Sequence, residues 1–239
     1  MAIVLPTEKS VPVSEPGRLT TLIYGQPKVG KSTFASEYPD AIFLSTEPGL
    51  NNLSVFKVDI HSWEEFGEAW AELKKDDRFK TIIIDTLDNL YDFCREYILK
   101  KTGFAHESED EHYGRQYAMI KKEFHKALNA MATNRFGLVM ISHADMKDEK
   151  TRAGKVRKAY PNLPNKAREV VMSMVDLILY VDTIEYTKDE SSEPELRRVI
   201  HTKGSDTFEA GDRTGRLPEL LPLDYKKFEK CLAKAVGGK

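Results

Sequence analysis

The segment Thr20-Thr21-Leu22-Ile23-Tyr24-Gly25-Gln26-Pro27-Lys28-Val29-Gly30-Lys31-Ser32-Thr33 limits the fold more than any other part of the chain. An apolar run leads into a glycine loop, and Gly-Lys-Ser opens the next helix. Every fixed position of the phosphate-binding pattern G-x-x-x-x-G-K-[ST] is filled, in the strand–loop–helix context the pattern needs. Gly25 and Gly30 carry no Cβ, so the backbone can curl round a phosphate chain and aim successive N–H groups at it. Lys31 brings a mobile cation to the terminal phosphates, and the Ser32 hydroxyl is placed to ligate Mg²⁺. Gln26, Pro27, Lys28, Val29 and Thr33 complete the expected cradle. A glycine turn that merely joins strand to helix is the competing reading; the spacing and context favour a bound nucleoside triphosphate.

The remaining 1–19 and 34–239 are read around that loop. At 239 residues there is chain enough for one well-filled α/β core. Buried strands are expected at 41–46, 55–60, 81–85, 136–142 and 177–181, with 196–203 as the second half of a hairpin. Ser62 and Glu65 form a capping box ahead of Trp63, Phe66, Trp70 and Leu73, whose spacing defines one apolar helix face; the tryptophans read as core. Helices are also expected through Leu87, Leu90, Cys94, Tyr97 and Ile98, through Tyr117, Ile120, Phe124, Leu128 and Met131, and after Asp224. Residues 103–112 read as a polar loop. Pro6, Pro12, Pro16 and Gly17 mark residues 1–17 as an extended arm, leaving 18–239 as a single domain. Alternating strands and helices imply an α/β fold: a mostly parallel sheet with helices on both faces and a C-terminal β-hairpin.

Composition excludes little but narrows the classes. The balance of 36 basic against 38 acidic residues neither demands nor forbids nucleic acid, so any such contact must come from a local basic cluster. Cys94 and Cys231 stand far apart with no C-x-x-C pair, which argues against a zinc site or disulfide scaffold and fits a reducing compartment. Residues 1–6 are too short and uncharged for a signal peptide, and no apolar run approaches the ~20 residues of a membrane span. A soluble, cytoplasmic protein is expected.

Two carboxylates carry the chemistry. Asp85 ends a run of four apolar residues at the strand edge where open α/β sheets bind ligands, suited to hold the Mg²⁺ shell while Ser32 holds the metal directly. A helix N-cap aspartate is the competing reading of the same residue. Glu47 follows the strand at 41–46 and precedes Pro48-Gly49, so it too lies at that edge. There it can orient and deprotonate a water for in-line attack. An ordinary turn glutamate fits its position equally.

The order Gly25–Thr33, Phe43-Leu44-Ser45-Thr46-Glu47, Ile82-Ile83-Ile84-Asp85, Val139-Met140-Ile141-Ser142-His143 resembles the ATPase core of RecA-type recombinases. More specifically the chain is similar to phage-encoded nucleotide-binding ATPases that include the Sak-type single-strand annealing recombinases. The late segments Ile200–Gly204 and Asp212–Pro218 add to the likeness, which covers roughly residues 18–220. It implies ATP as nucleotide, Glu47 as catalytic base and His143 as γ-phosphate sensor, where the family usually has glutamine. It also implies a host-cell cytoplasmic setting and assembly into a ring or filament. In that assembly Lys203, two residues after His201, acts in trans on a neighbour's phosphate, and Arg213 is a further nucleotide-binding candidate.

The segment 144–168 is the expected contact to single-stranded DNA. It holds Lys147, Lys150, Arg152, Lys155, Arg157, Lys158, Lys166 and Arg168 against Asp145, Asp148 and Glu149, five net positive charges, with Tyr160 available to stack on a base. It is read as a flexible flap whose order follows nucleotide state. The leading reading is thus a DNA-linked, oligomeric ATPase for annealing or recombination, with a single-strand-binding protein as a possible collaborator. A nucleotide-gated accessory module (helicase loader or packaging factor) and a P-loop small-molecule kinase are the alternatives.

Overall fold

The computed structural model describes residues 5–107, 114–151, 154–187 and 193–237. A 3₁₀ turn at Pro16–Arg18 precedes β1 (Thr20–Gly25) and α1 (Lys31–Ala35). Next come β2 (Ala41–Ser45), β3 (Phe56–Asp59), α2 (Trp63–Leu73), β4 (Thr81–Asp85), α3 (Leu87–Thr102) and α4 (Arg115–Ala132). They are followed by β5 (Gly137–Thr151), β6 (Gly154–Pro161), α5 (Asn165–Met174), β7 (Leu177–Tyr186) and β8 (Glu195–His201). The short β9 (Gly211–Asp212) and β10 (Leu220–Pro222) lead to α6 (Tyr225–Gly237). The sheet order is β10-β8-β7-β1-β5-β4-β2-β3, with β6 on β5 and β9 on β7. From β7 through β3 every neighbour is parallel; β8, β10, β6 and β9 are antiparallel.

The period-two geometry of strands explains why both faces are covered. Successive side chains point to opposite faces, so a continuous apolar run supplies two cores. Leu22, Ile42, Leu44, Ile82, Ile84, Leu138 and Met140 meet α2, α3, α4 and α5 on one face. Their neighbours Ile23, Phe43, Ile83, Val139 and Ile141 meet α1 and α6 on the other. Each such side chain, fully withdrawn from water, contributes roughly 1.5–3 kcal/mol of transfer free energy. Trp63 and Trp70 lie in the first of these cores, as their spacing implies.

Local signals account for most element ends. The Ser62 hydroxyl accepts from the Glu65 N–H at 3.1 Å, and the Glu65 carboxylate accepts from the His61 N–H at 2.7 Å. Asp224 caps α6 by accepting the Lys227 N–H at 2.9 Å. Residues 5–15 form neither helix nor strand, and Pro16 and Gly17 are buried where the chain enters the sheet. β7 and β8 form the expected antiparallel pair near the C-terminal side.

One element differs from the expectation. The segment 144–168 is not a flexible flap: β5 runs on past the sheet to Thr151 and pairs with β6 from Ala144↔Pro161 to Thr151↔Gly154, after which the chain enters α5. The alternation that announces a strand is missing because Lys147, Asp148, Glu149 and Lys150 put charge on both faces. Backbone pairing and a small aromatic cluster hold the ribbon instead. Ala144, Met146 and Ala159 pack on Tyr24, Tyr180 and Phe208. Arg152 lies outside the described residues.

Candidate nucleotide site

Because β1, β2, β4 and β5 run parallel, their carboxyl ends share one edge of the sheet. Gly25 registers with His143, Ser45 with Asp85, and Asp85 with Ile141. Four segments far apart in sequence are thereby brought to one place.

The glycines of the loop are needed for different reasons. A Cβ on Gly25 would sit 2.2 Å from the Val181 carbonyl oxygen on β7, so this position is closed to side chains by packing. Gly30 has φ of 108°, which L-residues avoid. Lys28 also adopts a left-handed φ, 64°. Lys31 is buried, and its ammonium donates to the carbonyls of Gly25 and Gln26, both at 2.9 Å. Burial lowers its pKa, an effect opposed by Asp85, Asp88 and Glu47.

Asp85 is buried at the end of β4, and burial raises its pKa. The Ser32 hydroxyl hydrogen-bonds it and Lys31 and His143 act in the same opposing sense, whereas the Glu47 charge raises the pKa further. A hydroxyl and a carboxylate side by side are hard oxygen donors, and a carboxylate withdrawn from water gains from a cation beside it. That donor set fits Mg²⁺, which takes one or two protein oxygens and completes its shell with phosphate and water.

Glu47 is held by stitching between the ends of β2 and β4. The Thr86 N–H donates to the Thr46 hydroxyl at 2.8 Å, which donates to the Thr86 carbonyl at 2.9 Å. The Asn89 amide reaches the Thr46 carbonyl at 3.3 Å and a Glu47 carboxylate oxygen at 3.5 Å. His143 faces the other Glu47 oxygen, with Nε2 at 3.8 Å. Behind it, one Asp88 oxygen accepts from both the His143 main-chain N–H at 3.0 Å and ring Nδ1 at 2.8 Å. The bond to Asp88 raises the His143 pKa against the lowering effect of burial. Lys31, Ser32, Asp85, Glu47 and His143 are thus brought together, and Asp88 and Asn89 join them. Sequence reading passed over these last two, although an acid in the first turn of a helix at this edge was a usable signal.

Two expected contributors stand elsewhere. Arg213 follows β9, which pairs with the first residues of β7 at the far edge of the sheet. Its guanidinium donates to the Val175 carbonyl at 3.1 Å and pairs with Asp176 at 3.1 Å, so it does not join the nucleotide site of its own chain. Lys203 lies beyond the end of β8, exposed and 3.4 Å from Glu219. His201 does not present itself beside it. Its ring stacks with Tyr180 and lies 4.4 Å from the Phe208 centroid, and its Nε2 is buried without a hydrogen-bond partner among the described residues. Burial lowers its pKa.

The basic ribbon divides by face. Tyr160 is only 7% exposed, its hydroxyl donates to Glu149, and the Arg168 guanidinium covers its ring at 4.1 Å. That commits the ring to the fold and corrects the expectation that it stacks on a base. Lys158 is mostly buried in an ion pair with Glu209 at 2.8 Å, and Lys147 pairs with Asp145 at 3.2 Å. Lys150, Lys155 and Arg157 are exposed on the opposite face, with Asp148 among them.

Arg198, another residue outside the sequence reading, stands next to the loop. It registers with Thr183 on β7, and its Nη1 lies 3.4 Å from where a Gly30 Cβ would be. Nothing in the local sequence marks it, because its place follows from strand pairing.

Among the described residues no helix is long and apolar enough to cross a membrane. No curated protein matches the chain significantly. A protein-family profile described as an AAA domain does match, over residues 18–214, spanning the phosphate loop, Glu47, Asp85 and His143. The chain belongs to this AAA-domain family of P-loop ATPases.

Proposed function

We propose that the chain is a Mg²⁺-dependent ATPase that binds single-stranded DNA and promotes annealing or homologous recombination as an oligomer. The observation that carries this reading is the meeting of Lys31, Ser32, Asp85 and Glu47 at the edge from which the basic ribbon departs, directly after His143. Ser32 and Asp85 would hold the metal, which would supply charge neutralisation to the phosphates.

Lys31 exchanges the Gly25 and Gln26 carbonyls for phosphate oxygens. Glu47 takes a proton from a water whose oxygen attacks the γ-phosphorus. The bond from that phosphorus to the β,γ-bridging oxygen breaks, and ADP and phosphate leave. His143, fixed by Asp88, faces Glu47 and meets the γ-phosphate. It also begins the ribbon: its carbonyl accepts the Asn162 N–H at 2.9 Å, so both strands of the ribbon are anchored at this residue. Lys150, Lys155 and Arg157 supply the cationic face for a phosphate backbone. Lys203, exposed beyond the end of β8, exchanges the exposed Glu219 carboxylate for a neighbour's nucleotide in a ring or filament. Arg213 is not given that part, since Asp176 and the carbonyls of Ser173, Met174 and Val175 engage it.

The test is ATP turnover with single-stranded DNA, duplex DNA and no DNA, with particle mass recorded with and without ATP. Single-stranded DNA is expected to raise the rate, and assembly to accompany it. Glu47→Gln should still bind ATP while kcat falls about 10²–10⁴-fold. Equal rates with and without DNA would overturn the DNA role and favour a nucleotide-gated accessory module. Failure to bind ATP with Mg²⁺ would overturn the whole reading.

A further inference from the structure

We infer that the nucleoside lies in the cleft between α1 and the start of α6, and that Arg198 of the same chain clamps the phosphates entering it. This rests on the loop binding a nucleoside triphosphate and assigns which way that molecule runs. Glu47, Asp85 and His143 all lie on the β5–β4–β2 side of β1. The terminal phosphate and its metal belong there, so the rest of the nucleotide leaves toward the other side of β1, where β7 and, beyond it, β8 lie. On that side the structure offers a cleft of about 330 Å³, lined by Gly30, Thr33, Glu37, Arg198, Leu223 and Tyr225.

The lining has the chemistry of a nucleoside site. Thr33 ends the phosphate loop, and Glu37 lies in the turn that follows α1, its N–H donating to the Phe34 carbonyl at 3.3 Å. Phe34 and Leu223 give apolar walls, and the Tyr225 ring packs 6.0 Å from that of Phe34. The Glu37 carboxylate is exposed and forms no ion pair among the described residues, so it is available to accept from ribose hydroxyls. The start of α6 is fixed in place by the Leu223 N–H donating to the Arg198 carbonyl at 3.1 Å.

Arg198 stands at the mouth. It lines this cleft and also a second hollow of about 520 Å³ beside Gln26, Pro27, Lys28 and Val29, so its guanidinium spans the outer side of the loop. It is exposed and has no ion-pair partner among the described residues. A planar five-donor cation in that position fits the oxygens of a phosphate chain.

Titration calorimetry with ATP and with inorganic triphosphate separates the two parts. Arg198→Ala should weaken both ligands about 10- to 100-fold, the worth of a charge-assisted hydrogen bond, with an unchanged circular dichroism spectrum. Arg198→Lys should recover part of the loss. Photolabelling of the wild-type protein by 8-azido-ATP should mark peptides carrying Glu37 or residues 223–227. Unchanged affinity in Arg198→Ala, label confined to α2 or β3, or full binding restored by mixing Arg198→Ala with Lys31→Ala would overturn the inference. Lys31→Ala provides the separate control. If wild type binds no better than Lys31→Ala, it is the nucleotide reading that fails.

Discussion

Asp88 offers the sharpest test of how the edge is built, because its one carboxylate oxygen satisfies two groups of His143. Asp88→Ala leaves the main-chain N–H of His143 and its ring Nδ1 without their acceptor. Both are partly buried, the His143 side chain being 28% exposed and that of Asp88 8%. A buried donor left unpaired costs about 1–3 kcal/mol; the ring can reach water, which places it at the low end. The other Asp88 oxygen is itself buried without a hydrogen-bond partner among the described residues, so removing it returns part of the loss. The net expectation is about 2–3 kcal/mol, and at this chain length each kcal/mol lowers Tm by about 2–4 °C. The fall should therefore be roughly 4–12 °C by thermal circular dichroism without nucleotide. The pH dependence has a definite sign. The His143 pKa is raised in the folded state by Asp88, so its contribution is complete below the ordinary histidine value and is lost as pH rises through the raised one. The gap between wild type and Asp88→Ala should be wider at pH 5.5 than at pH 9. A gap that widens toward pH 9, or a Tm change under 1 °C, would refute the reasoning.

Further outcomes follow from single contacts. Gly25→Ala places a Cβ 2.2 Å from the Val181 carbonyl oxygen, so β1 and β7 must separate; chemical denaturation should show a loss of about 3 kcal/mol. Changing Lys150, Lys155 and Arg157 together to glutamate should weaken single-stranded DNA binding in a fluorescence anisotropy titration. It should also reduce the log–log salt slope by about two, at about 0.7 per phosphate contact. An unchanged slope would move the DNA surface elsewhere.

The loop, the strand ends and the carboxylates were legible because each rests on short-range rules. Gly25–Thr33 is contiguous, Asp85 ends an apolar run and Glu47 follows the strand at 41–46, so parallel strands bring them to one edge. The capping pair Ser62 and Glu65 and the cap at Asp224 are likewise contained within four residues. Lys147 to Lys150 misled because charge on both faces hides a strand, and the extra pairing with β6 comes from backbone hydrogen bonds that side-chain patterning does not encode.

Arg198 and Arg213 separate what sequence determines here from what tertiary structure decides. Both are arginines in polar surroundings late in the chain, and neither carries a local signal of its place. Strand order alone puts Arg198 against Gly30 and sends Arg213 to the opposite edge, where Asp176 engages it. Asp88 and His143 meet for the same reason, at a separation of 55 residues. The sequence determined that a phosphate loop would end β1 and that carboxylates would gather beside it. Which cations face that loop depended on the order of the strands beyond β1, and that is settled only when long-range pairing closes the sheet.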